Sequence, residues 1–244
     1  MKHNSIVPDA SSKLSKKEQV AQMFDNIAGK YDFLNHVLSL GIDKGWRRKA
    51  IRSIKGIAPR QILDVATGTG DLAIAAAAEL PEARITGIDI AAQMLEVGKV
   101  KIAERSLSDR IGMTVADSEN LPYADHHFDA VLCAYGTRNF QDLHKGLAEM
   151  NRVMRPGGKL AILEFSKPRT FPVKQLFAFY FKYILPLLGK MVSKHATAYT
   201  YLPDSVMAFP EGRDFCAILE QCGFKNAKAT PLTFGISSLY TADK

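Results

Sequence analysis

Short apolar segments alternate with helical segments through the middle of this chain, and no other feature limits the fold as strongly. The predicted strands are short, apolar and partly β-branched, and they are Gln61–Val65, Arg84–Ile88, Met113–Ala116, Phe128–Ala134 and Lys159–Phe165. Helices are predicted between them at Asp71–Glu79, Ala91–Arg105 and Leu143–Met154. Such alternation is typical of a parallel sheet covered by helices on both faces. The sequence therefore predicts a doubly wound α/β core.

Two further regions flank this core. Before it, apolar residues at helical spacing predict an N-terminal extension with helices at Lys16–Ala28, Phe33–Leu40 and Lys44–Ile54. After it, an aromatic, basic and largely helical insertion runs to about Pro203. The expected seven-stranded sheet is completed by a closing helix and an antiparallel strand pair, at Glu211–Cys222, Phe224–Thr230 and Phe234–Thr241.

The expected organisation is one domain, residues 19–244, after a flexible tail of residues 1–18. Within the domain, the helical extension covers 19–60, the nucleoside-binding core 61–166, the insertion 167–203, and the closing helix and strand pair 204–244. One domain agrees with a length of 244 residues, of which 47% are hydrophobic and 23% charged.

Cysteine usage and hydropathy exclude several classes of protein. Cys133, Cys216 and Cys222 lack the spacing of a zinc site or a disulfide framework, so neither is expected. Met1–Lys17 has no apolar stretch of the kind that signal peptides contain. Leu176–Val192 is interrupted by lysines and a proline and is not expected to cross a bilayer. The protein is therefore expected in the cytoplasm.

Positive charge is concentrated in two regions. Residues 1–60 carry 12 basic and 5 acidic side chains, whereas residues 61–163 carry 10 basic and 14 acidic ones. Residues 164–203 carry six basic side chains and a single acid, Glu164. A basic face of this kind suits nucleic acid, anionic lipid or solubility alone.

A turn rich in small residues follows the first predicted strand, where the sequence reads DVATGTGD from Asp64. Gly68 and Gly70 allow a ligand to approach the backbone, and the next helix begins with unpaired amide groups. The turn departs from the dinucleotide pattern GxGxxG at Ala66 and Ala73, and no lysine follows it as in a P-loop. A nucleotide phosphate is therefore not the expected ligand.

Polar residues also follow the second and third strands. Asp89 is placed to accept hydrogen bonds from ribose hydroxyls, and Asp117 and Ser118 are placed to bind an adenine amino group. Asp64 and Asp71 suit a cation, although a local cap of the turn is an alternative role for Asp64. The sequence therefore predicts the cofactor S-adenosylmethionine, whose sulfonium and ammonium groups are cationic.

Four longer segments are more specific than the glycine turn. They are YDFLN from Tyr31, GTRN from Gly136, RPGGKLAILEFSKP from Arg155 and YTYLPDS from Tyr199. With them, the chain from Val20 to about Tyr240 resembles the UbiE-type C-methyltransferases of menaquinone and ubiquinone biosynthesis.

This resemblance implies a class I, Rossmann-like methyltransferase fold with a helical insertion after the fifth strand. It also implies that the cofactor is contacted by Thr69, Asp89, Asp117 and Ser118 and that the turn is shaped by Gly68 and Gly70. Asp64 joins this set from the argument about the turn given above. The chain departs from the family pattern at Thr67, Ala134 and Thr137, and the last of these falls beside the expected acceptor pocket.

The reaction that the resemblance implies moves a methyl group to a ring carbon of a reduced polyprenyl quinone. Demethylmenaquinol is the first interpretation, and a 2-methoxy-6-polyprenyl-benzoquinol is the alternative. Arg138 is expected to stabilise the quinolate, with an ion pair that pins its loop as the alternative role. Tyr31 and Tyr201 are expected to act with it. The residues expected to bind the ring are Asn35, Tyr135 and Tyr199.

The segment Lys167–Lys194 places six aromatic residues among six basic ones. This composition suits a lipid tail drawn from a membrane surface, and a buried lid or a homodimer interface is the alternative. His195, in the same basic region, is either a proton relay or simply exposed.

Two other classes of protein fit the sequence less well. A nucleic-acid methyltransferase is favoured by a pI of about 9.2, but the loop after the fourth strand lacks the Asn/Asp-Pro-Pro-aromatic segment that stacks an extruded base. The basic insertion is also too apolar for an RNA-binding face. A nucleoside-binding module without catalysis is the remaining alternative.

Overall fold

The computed structural model describes residues 5–39, 41–180, 183 and 197–244. Of residues 30, 33–38 and 197–200 it describes the backbone alone.

Seven strands form a single sheet. They are β1 Gln61–Val65, β2 Arg84–Asp89, β3 Ile111–Val115, β4 Phe128–Ala134, β5 Met154–Phe165, β6 Lys225–Leu232 and β7 Ser237–Asp243. Their order across the sheet is β3-β2-β1-β4-β5-β7-β6. β7 runs antiparallel to β5 and β6, and the other neighbours are parallel. The prediction of a seven-stranded, mostly parallel sheet is therefore confirmed.

Eight α-helices are assigned within the described part of the chain. They are α1 Lys16–Ser39, α2 Asp43–Lys55, α3 Asp71–Glu79, α4 Ala92–Glu104, α5 Leu143–Val153, α6 Val173–Phe179, α7 Thr197–Ala208 and α8 Arg213–Gln221. α1 is continuous where the sequence predicts two helices, because the intervening Gly29 costs a helix only about 1 kcal/mol and no proline interrupts it. Among the described helices, none has both the length and the hydropathy needed to cross a membrane.

Both faces of the sheet are buried, and β4 shows this most clearly. Val131 and Cys133 pack into one apolar cluster with side chains of α5 and α8. Ala130 and Leu132 pack on the opposite face with side chains of α2 and α3. A strand that is covered on both faces carries a continuous apolar run, and this is why the strand could be recognised in the sequence.

β5 begins five residues before the predicted start at Lys159. The proline and glycines at 156–158 predict a turn, but Met154 already pairs with Phe128 across a register shift. The last residue of the chain completes the pairing, because Lys244 accepts a hydrogen bond from the amide of Gly157 and donates one to the carbonyl of Gly158. These partners are distant in sequence and give no local signal.

The carboxyl ends of β1 to β5 lie at one edge of the sheet, and the strand order reverses between β1 and β4. Ligands of open α/β sheets bind outside the strands at such a point. α1 lies across this edge and presents Val20, Phe24 and Tyr31 to it, at a spacing that puts all three on one helix face. The fold therefore forms a pocket between the sheet edge and α1.

Candidate functional site

The pocket has an apolar middle and polar ends. Its walls include residues of α1 and of the segments that follow β1, β2, β3 and β4. The lining includes Lys17, Val20, Phe24, Tyr31, Gly68, Asp89, Met94, Asp117, Ser118, Glu119, Tyr135 and Asn139. Three carboxylates and one ammonium make the lining net negative, which disfavours a phosphate and suits a cationic ligand.

The glycine turn is held by Asp89, which ends β2. Its Oδ2 accepts a hydrogen bond of 2.8 Å from the amide of Gly68, and its Oδ1 accepts one of 2.9 Å from the amide of Ala91. Burial raises the pKa of Asp89, while the backbone amides act to lower it. Each oxygen keeps a further lone pair, so the carboxylate is able to accept two more hydrogen bonds, and its contact with ribose hydroxyls stays a prediction.

Gly68 and Gly70 both have positive φ, +57° and +80°. Gly68 lines the pocket. Gly70 instead begins α3, and a Cβ there would lie 2.8 Å from Cε of Met113. The prediction that both glycines shape the turn agrees with this geometry, and of the two only Gly68 lines the pocket.

Thr69 lies behind the turn rather than in the pocket wall. Its hydroxyl donates to Oδ1 of Asp32 at 2.5 Å and accepts from Nζ of Lys101 at 3.1 Å. Asp71 belongs to the same ionic cluster, with Lys101 at 2.6 Å and Arg47 at 3.3 Å. The hydroxyl of Thr69 thus ties α1 and α4 to the turn, and the cofactor contact of this residue stays a prediction.

Asp64 lies beneath the turn and is 1% exposed. Its Oδ2 accepts a hydrogen bond of 2.6 Å from the hydroxyl of Thr67, and its Oδ1 is buried without a partner. Burial raises the pKa of Asp64 to about 7, against the effect of Thr67 and the charge of Arg47. The local cap of the turn, which is the alternative role, is the one that the structure shows.

Asp117 and Ser118 lie in the pocket wall, as predicted. Asp117 accepts hydrogen bonds from Nζ of Lys17 at 2.5 Å and from the amide of Glu119 at 2.9 Å. Glu119 is 4% exposed and joins three segments of the site. Its carboxylate accepts from Lys17 and from the amides of Gln141 and Asp142. Lys17 and Glu119 are missing from the sequence prediction, since nothing in the local pattern shows that they meet.

Arg138, after β4, is nearly buried and paired with Glu164 of β5. Nη1 lies 2.8 Å from Oε1 of Glu164, the amide of Arg138 donates to Oε2, and Nη1 also donates to the carbonyl of Tyr135. The guanidinium lies over the ring of Phe165, 5.4 Å from its centre. The ion pair that pins the loop, which is the alternative role of Arg138, is thus present. The acid in this pair is Glu164, a residue that the sequence analysis did not assign to the site.

Two predicted tyrosines surround Arg138. Although burial acts to lower it, the pKa of Arg138 is raised above its ordinary value, mainly by the charge of Glu164 and in smaller part by the nearby hydroxyl groups of Tyr31 and Tyr201. Burial also raises the pKa of Tyr201, against the charge of Arg138. The Tyr201 hydroxyl is buried, and no hydrogen-bond partner for it is found in the described part of the chain. The structure therefore brings the three predicted catalytic residues together.

Tyr135 contributes to the pocket wall, but its hydroxyl is committed elsewhere. The hydroxyl lies 3.3 Å from Oγ of Ser237, and the ring packs on Phe165 with centres 4.6 Å apart. Because Tyr135 lines the pocket while its hydroxyl faces Ser237, its contact with the substrate ring stays a prediction.

Asn139 is a further pocket residue that the sequence prediction leaves out, although it ends the GTRN segment. Its Oδ1 is buried and has no partner, so it is available to a ligand donor. The described part of the structure does not include the side chains of Asn35 and Tyr199 or any part of His195. Of the insertion, residues 181–182 and 184–196 also lie outside it.

Comparison of the sequence with known families gives a match over nearly the whole chain. A model described as the ubiE/COQ5 methyltransferase family matches residues 12–244. A demethylmenaquinone methyltransferase of Bacteroides fragilis is 51% identical over 229 residues, which cover 94% of this chain and 94% of that protein. A Geotalea daltonii protein named ubiquinone/menaquinone biosynthesis C-methyltransferase UbiE is 50% identical over 95% of this chain and 99% of its own length.

Solved structures share the fold at low sequence identity. A SAM-dependent methyltransferase from Aquifex aeolicus matches with a TM-score of 0.55 and 17% identity, over 75% of this chain and 81% of that one. The [4+2]-cyclase SpnF matches with a TM-score of 0.60 and 19% identity, over 93% and 96%. Because a methyltransferase and a cyclase both have this fold, the fold alone does not assign the reaction.

Replacing Asp64 by Asn is expected to change how stability depends on pH. Folding raises the pKa of Asp64 from 3.8 to about 7, so its contribution to stability is full below about pH 4 and is lost as pH rises through 7. The free energy of unfolding of Asp64→Asn, minus that of the unchanged protein, should therefore rise between pH 4 and 7 by on the order of 3 kcal/mol. Urea unfolding of the cofactor-free protein measures it.

Asp125→Asn is the matched control, because Arg152 holds the pKa of this exposed carboxyl below its ordinary value. For that variant the difference should fall as pH rises toward about 4, and it should stay nearly constant between about pH 4 and 7. A flat difference for Asp64→Asn would contradict the assigned ionisation.

Proposed function

Because the chain belongs to the ubiE/COQ5 methyltransferase family, we propose that it methylates a ring carbon of demethylmenaquinol in menaquinone biosynthesis. The protein is a methyltransferase and its cofactor is S-adenosylmethionine, so these two predictions from the sequence are confirmed. The choice of acceptor rests on one observation above all, the 51% identity to a demethylmenaquinone methyltransferase over 94% of both chains.

The pocket described above suits this cofactor. We assign Asp89 to the ribose hydroxyls, Asp117 and Ser118 to the adenine, and Gly68 to close backbone approach. The free lone pairs of Asp89, the net negative lining and the unpartnered Oδ1 of Asn139 all fit a ligand that brings hydrogen-bond donors and positive charge.

S-adenosylmethionine supplies an electrophilic methyl group. A quinol ring carbon attacks such a group readily only when the neighbouring hydroxyl has lost its proton, so the protein must stabilise a phenolate. A fixed charge in a site that excludes water is far more effective for this than the same charge in solution, and its removal costs about 100- to 1000-fold in rate. Arg138 is such a charge.

Arg138 is protonated at every relevant pH and therefore cannot be the base. Its function in the proposal is to attract the developing phenolate while Glu164 fixes its orientation from beneath. We assign the unpartnered hydroxyl of Tyr201 to a hydrogen bond with the same oxygen. Tyr31, in the pocket wall opposite Gly68, is assigned to contact with the quinol ring.

A benzoquinol is the second candidate acceptor. The relative from Geotalea daltonii is named for ubiquinone as well as menaquinone biosynthesis. The two acceptors share the hydroquinone that Arg138 and Tyr201 would engage and differ in the fused ring, so the assignment of the oxygen contact is the same for both.

We also propose that the protein is cytoplasmic and contacts the inner face of the cell membrane, through an exposed apolar surface around α6. Its members are Phe171, Leu176, Phe179, Tyr183, Met207 and Phe234, each more than half exposed. Phe234 is joined to the surface because Gly235 lies against Pro168, and Met207 because its carbonyl accepts from Lys167.

Charge supports a lipid occupant for this surface. Lys167, Arg169 and Lys174 lie within it or beside it. Glu211 accepts hydrogen bonds from the amide of Lys167 and from the guanidinium of Arg169. Basic side chains around exposed aromatic residues are typical of proteins that bind anionic lipid surfaces. The surface follows directly from the end of β5, the strand that carries Glu164, so an acceptor held in a membrane would enter near Arg138. A homodimer interface is the alternative occupant.

The acceptor assignment is tested with purified protein and labelled S-adenosylmethionine. Label is expected in the product from a reduced demethylmenaquinone with a short prenyl chain, and cells that lack the protein are expected to accumulate demethylmenaquinone. Transfer to 2-methoxy-6-polyprenyl-benzoquinol alone would replace this acceptor by the alternative one. Oxidised quinone, which cannot form a phenolate, is the control and should receive no label.

Substitutions should separate cofactor binding from catalysis. Asp89→Asn removes a charge and an acceptor, and is expected to weaken S-adenosylmethionine binding by at least about tenfold in calorimetry. Arg138→Lys keeps a charge opposite the buried Glu164, which limits destabilisation. It is expected to bind the cofactor normally and to lower kcat by at least about tenfold, because a lysine cannot reproduce the planar guanidinium.

Arg155→Lys, at an exposed ion pair with Asp129, is the control for the arginine and should change neither quantity. The assigned roles would be wrong if Arg138→Lys lost cofactor affinity while Asp89→Asn kept it.

The membrane surface is tested by changing Phe171, Leu176 and Phe179 together to aspartate. Exposed positions tolerate such changes with little loss of stability, so vesicles with anionic phospholipid should retain about tenfold less protein in sedimentation, while methylation of a short-chain quinol is unchanged. Val100→Asp, at an equally exposed apolar side chain of α4, is the control. Intact vesicle binding combined with loss of a dimer would favour the alternative occupant.

A further inference from the structure

Lys17 brings a positive charge into an otherwise acidic part of the pocket wall. Its Nζ lies 2.5 Å from Oδ2 of Asp117 and 3.0 Å from Oε2 of Glu119. Both contacts are hydrogen bonds, and Lys17 itself lines the pocket. The ammonium is therefore held beside the carboxylate that the proposed function assigns to adenine.

The position of this ammonium is fixed from several directions. The amide of Lys17 faces Oε1 of Gln141 at 3.4 Å, and Glu119 is anchored by the amides of Gln141 and Asp142 at 2.8 and 3.0 Å. The backbone of Lys17 is also fixed, because the residue lies in the first turn of α1. Its side chain therefore has few alternative conformations. A preorganised donor of this kind loses little entropy when it binds a ligand.

Lys17 has one N–H to spare. Burial acts to lower its pKa, but its hydrogen bonds and charge interactions with Asp117 and Glu119 outweigh this effect and raise it. The group is therefore an ammonium with three N–H bonds. Two are used by the carboxylates, and among the described residues no third acceptor contacts Nζ.

We propose that Lys17 selects the adenine base of the cofactor, by donating its remaining N–H to a ring nitrogen next to the amino group that Asp117 accepts. The proposal rests on the proposed function for the position of the adenine. Asp117 and Lys17 act as a pair in it, one as the acceptor and the other as the donor.

The chemistry of purines makes this pair selective. In adenine the amino group is a donor, and the ring nitrogens on either side of it, N1 and N7, are acceptors. A carboxylate and an ammonium held side by side match that order. In a 6-oxopurine the amino group is replaced by an acceptor oxygen, which would face the carboxylate of Asp117 and leave partly buried groups unpaired, a mismatch that costs affinity. N3 lies on the far side of the ring from the amino group.

Asp117 is able to accept the amino group while it holds Lys17. Each carboxylate oxygen has two acceptor positions; Oδ2 uses one for Lys17 and Oδ1 uses one for the amide of Glu119. The alternative role of Lys17 is purely structural: it would fasten α1 to the segment after β3 and make no contact with the cofactor.

Calorimetry with S-adenosylhomocysteine and its 1-deaza, 7-deaza and 3-deaza analogues separates these roles. With the unchanged protein, one of the 1-deaza and 7-deaza compounds is expected to bind about tenfold more weakly than the parent, and the 3-deaza compound is expected to bind like the parent. In Lys17→Met the parent should be weakened by a similar factor, and the difference between the analogues should disappear.

Two further variants complete the test. Lys17→Arg keeps the charge for Asp117 and Glu119 and is expected to keep part of the discrimination, which guards against a folding defect in Lys17→Met. Lys99→Met removes an exposed ion pair with Glu96 and should change nothing. Thermal unfolding of each variant reports any loss of stability separately.

The results distinguish the inference from the proposed site. If Lys17→Met keeps the discrimination, or if all three analogues bind equally in the unchanged protein, the base contact by Lys17 is overturned. If Asp117→Asn leaves the affinity for S-adenosylhomocysteine unchanged, the adenine is not at Asp117, and the proposed placement fails together with the inference. Weaker binding by Asp117→Asn with unchanged binding by Lys17→Met overturns the inference alone.

Discussion

The parallel arrangement of β1 to β5 is the constraint on which the site depends. Parallel neighbours end at the same edge, so the segments after each strand meet there although they are far apart in the sequence. Asp89 shows the consequence: one carboxylate at the end of β2 accepts amides from the turn after β1 and from the start of α4. The same edge receives Asp117 after β3, Arg138 after β4 and Glu164 at the end of β5.

Burial of charge at this edge is resolved in two different ways. Glu164 is fully buried, but Arg138, Thr137 and the amide of Phe165 satisfy its oxygens. A buried pair of this kind adds little net stability and strongly restricts geometry, which is useful where an orientation matters. Asp64 is buried with one oxygen unpartnered, and it responds by a raised pKa. The ion pair keeps Arg138 and Glu164 charged, whereas the raised pKa of Asp64 favours its neutral form.

The sequence was sufficient where local chemistry decides the structure. The strands are apolar runs because both sheet faces are covered, and Gly68 and Asp89 lie in the pocket because a turn and a strand end put them there. It was insufficient to predict the hydrogen-bond partners of side chains that have several to choose from. Thr69 follows a residue of the pocket wall, and Tyr135 is part of the wall. Their hydroxyls nevertheless bond to Asp32 and Ser237, which lie 37 and 102 residues away in the sequence. No local pattern contains that information.

The N-terminal extension forms part of the pocket wall rather than an addition to it. Near its start, Lys17 binds Asp117 and Glu119, and in its second half Asp32 binds Lys101 and Thr69. Between these two connections α1 supplies apolar pocket wall. A ligand that fills the pocket is therefore enclosed by the sheet edge on one side and by α1 on the other. Because both connections are ionic and partly exposed, salt screens them more than it screens the apolar contacts between them, so the strength with which α1 holds the site closed is set largely by these few charged groups.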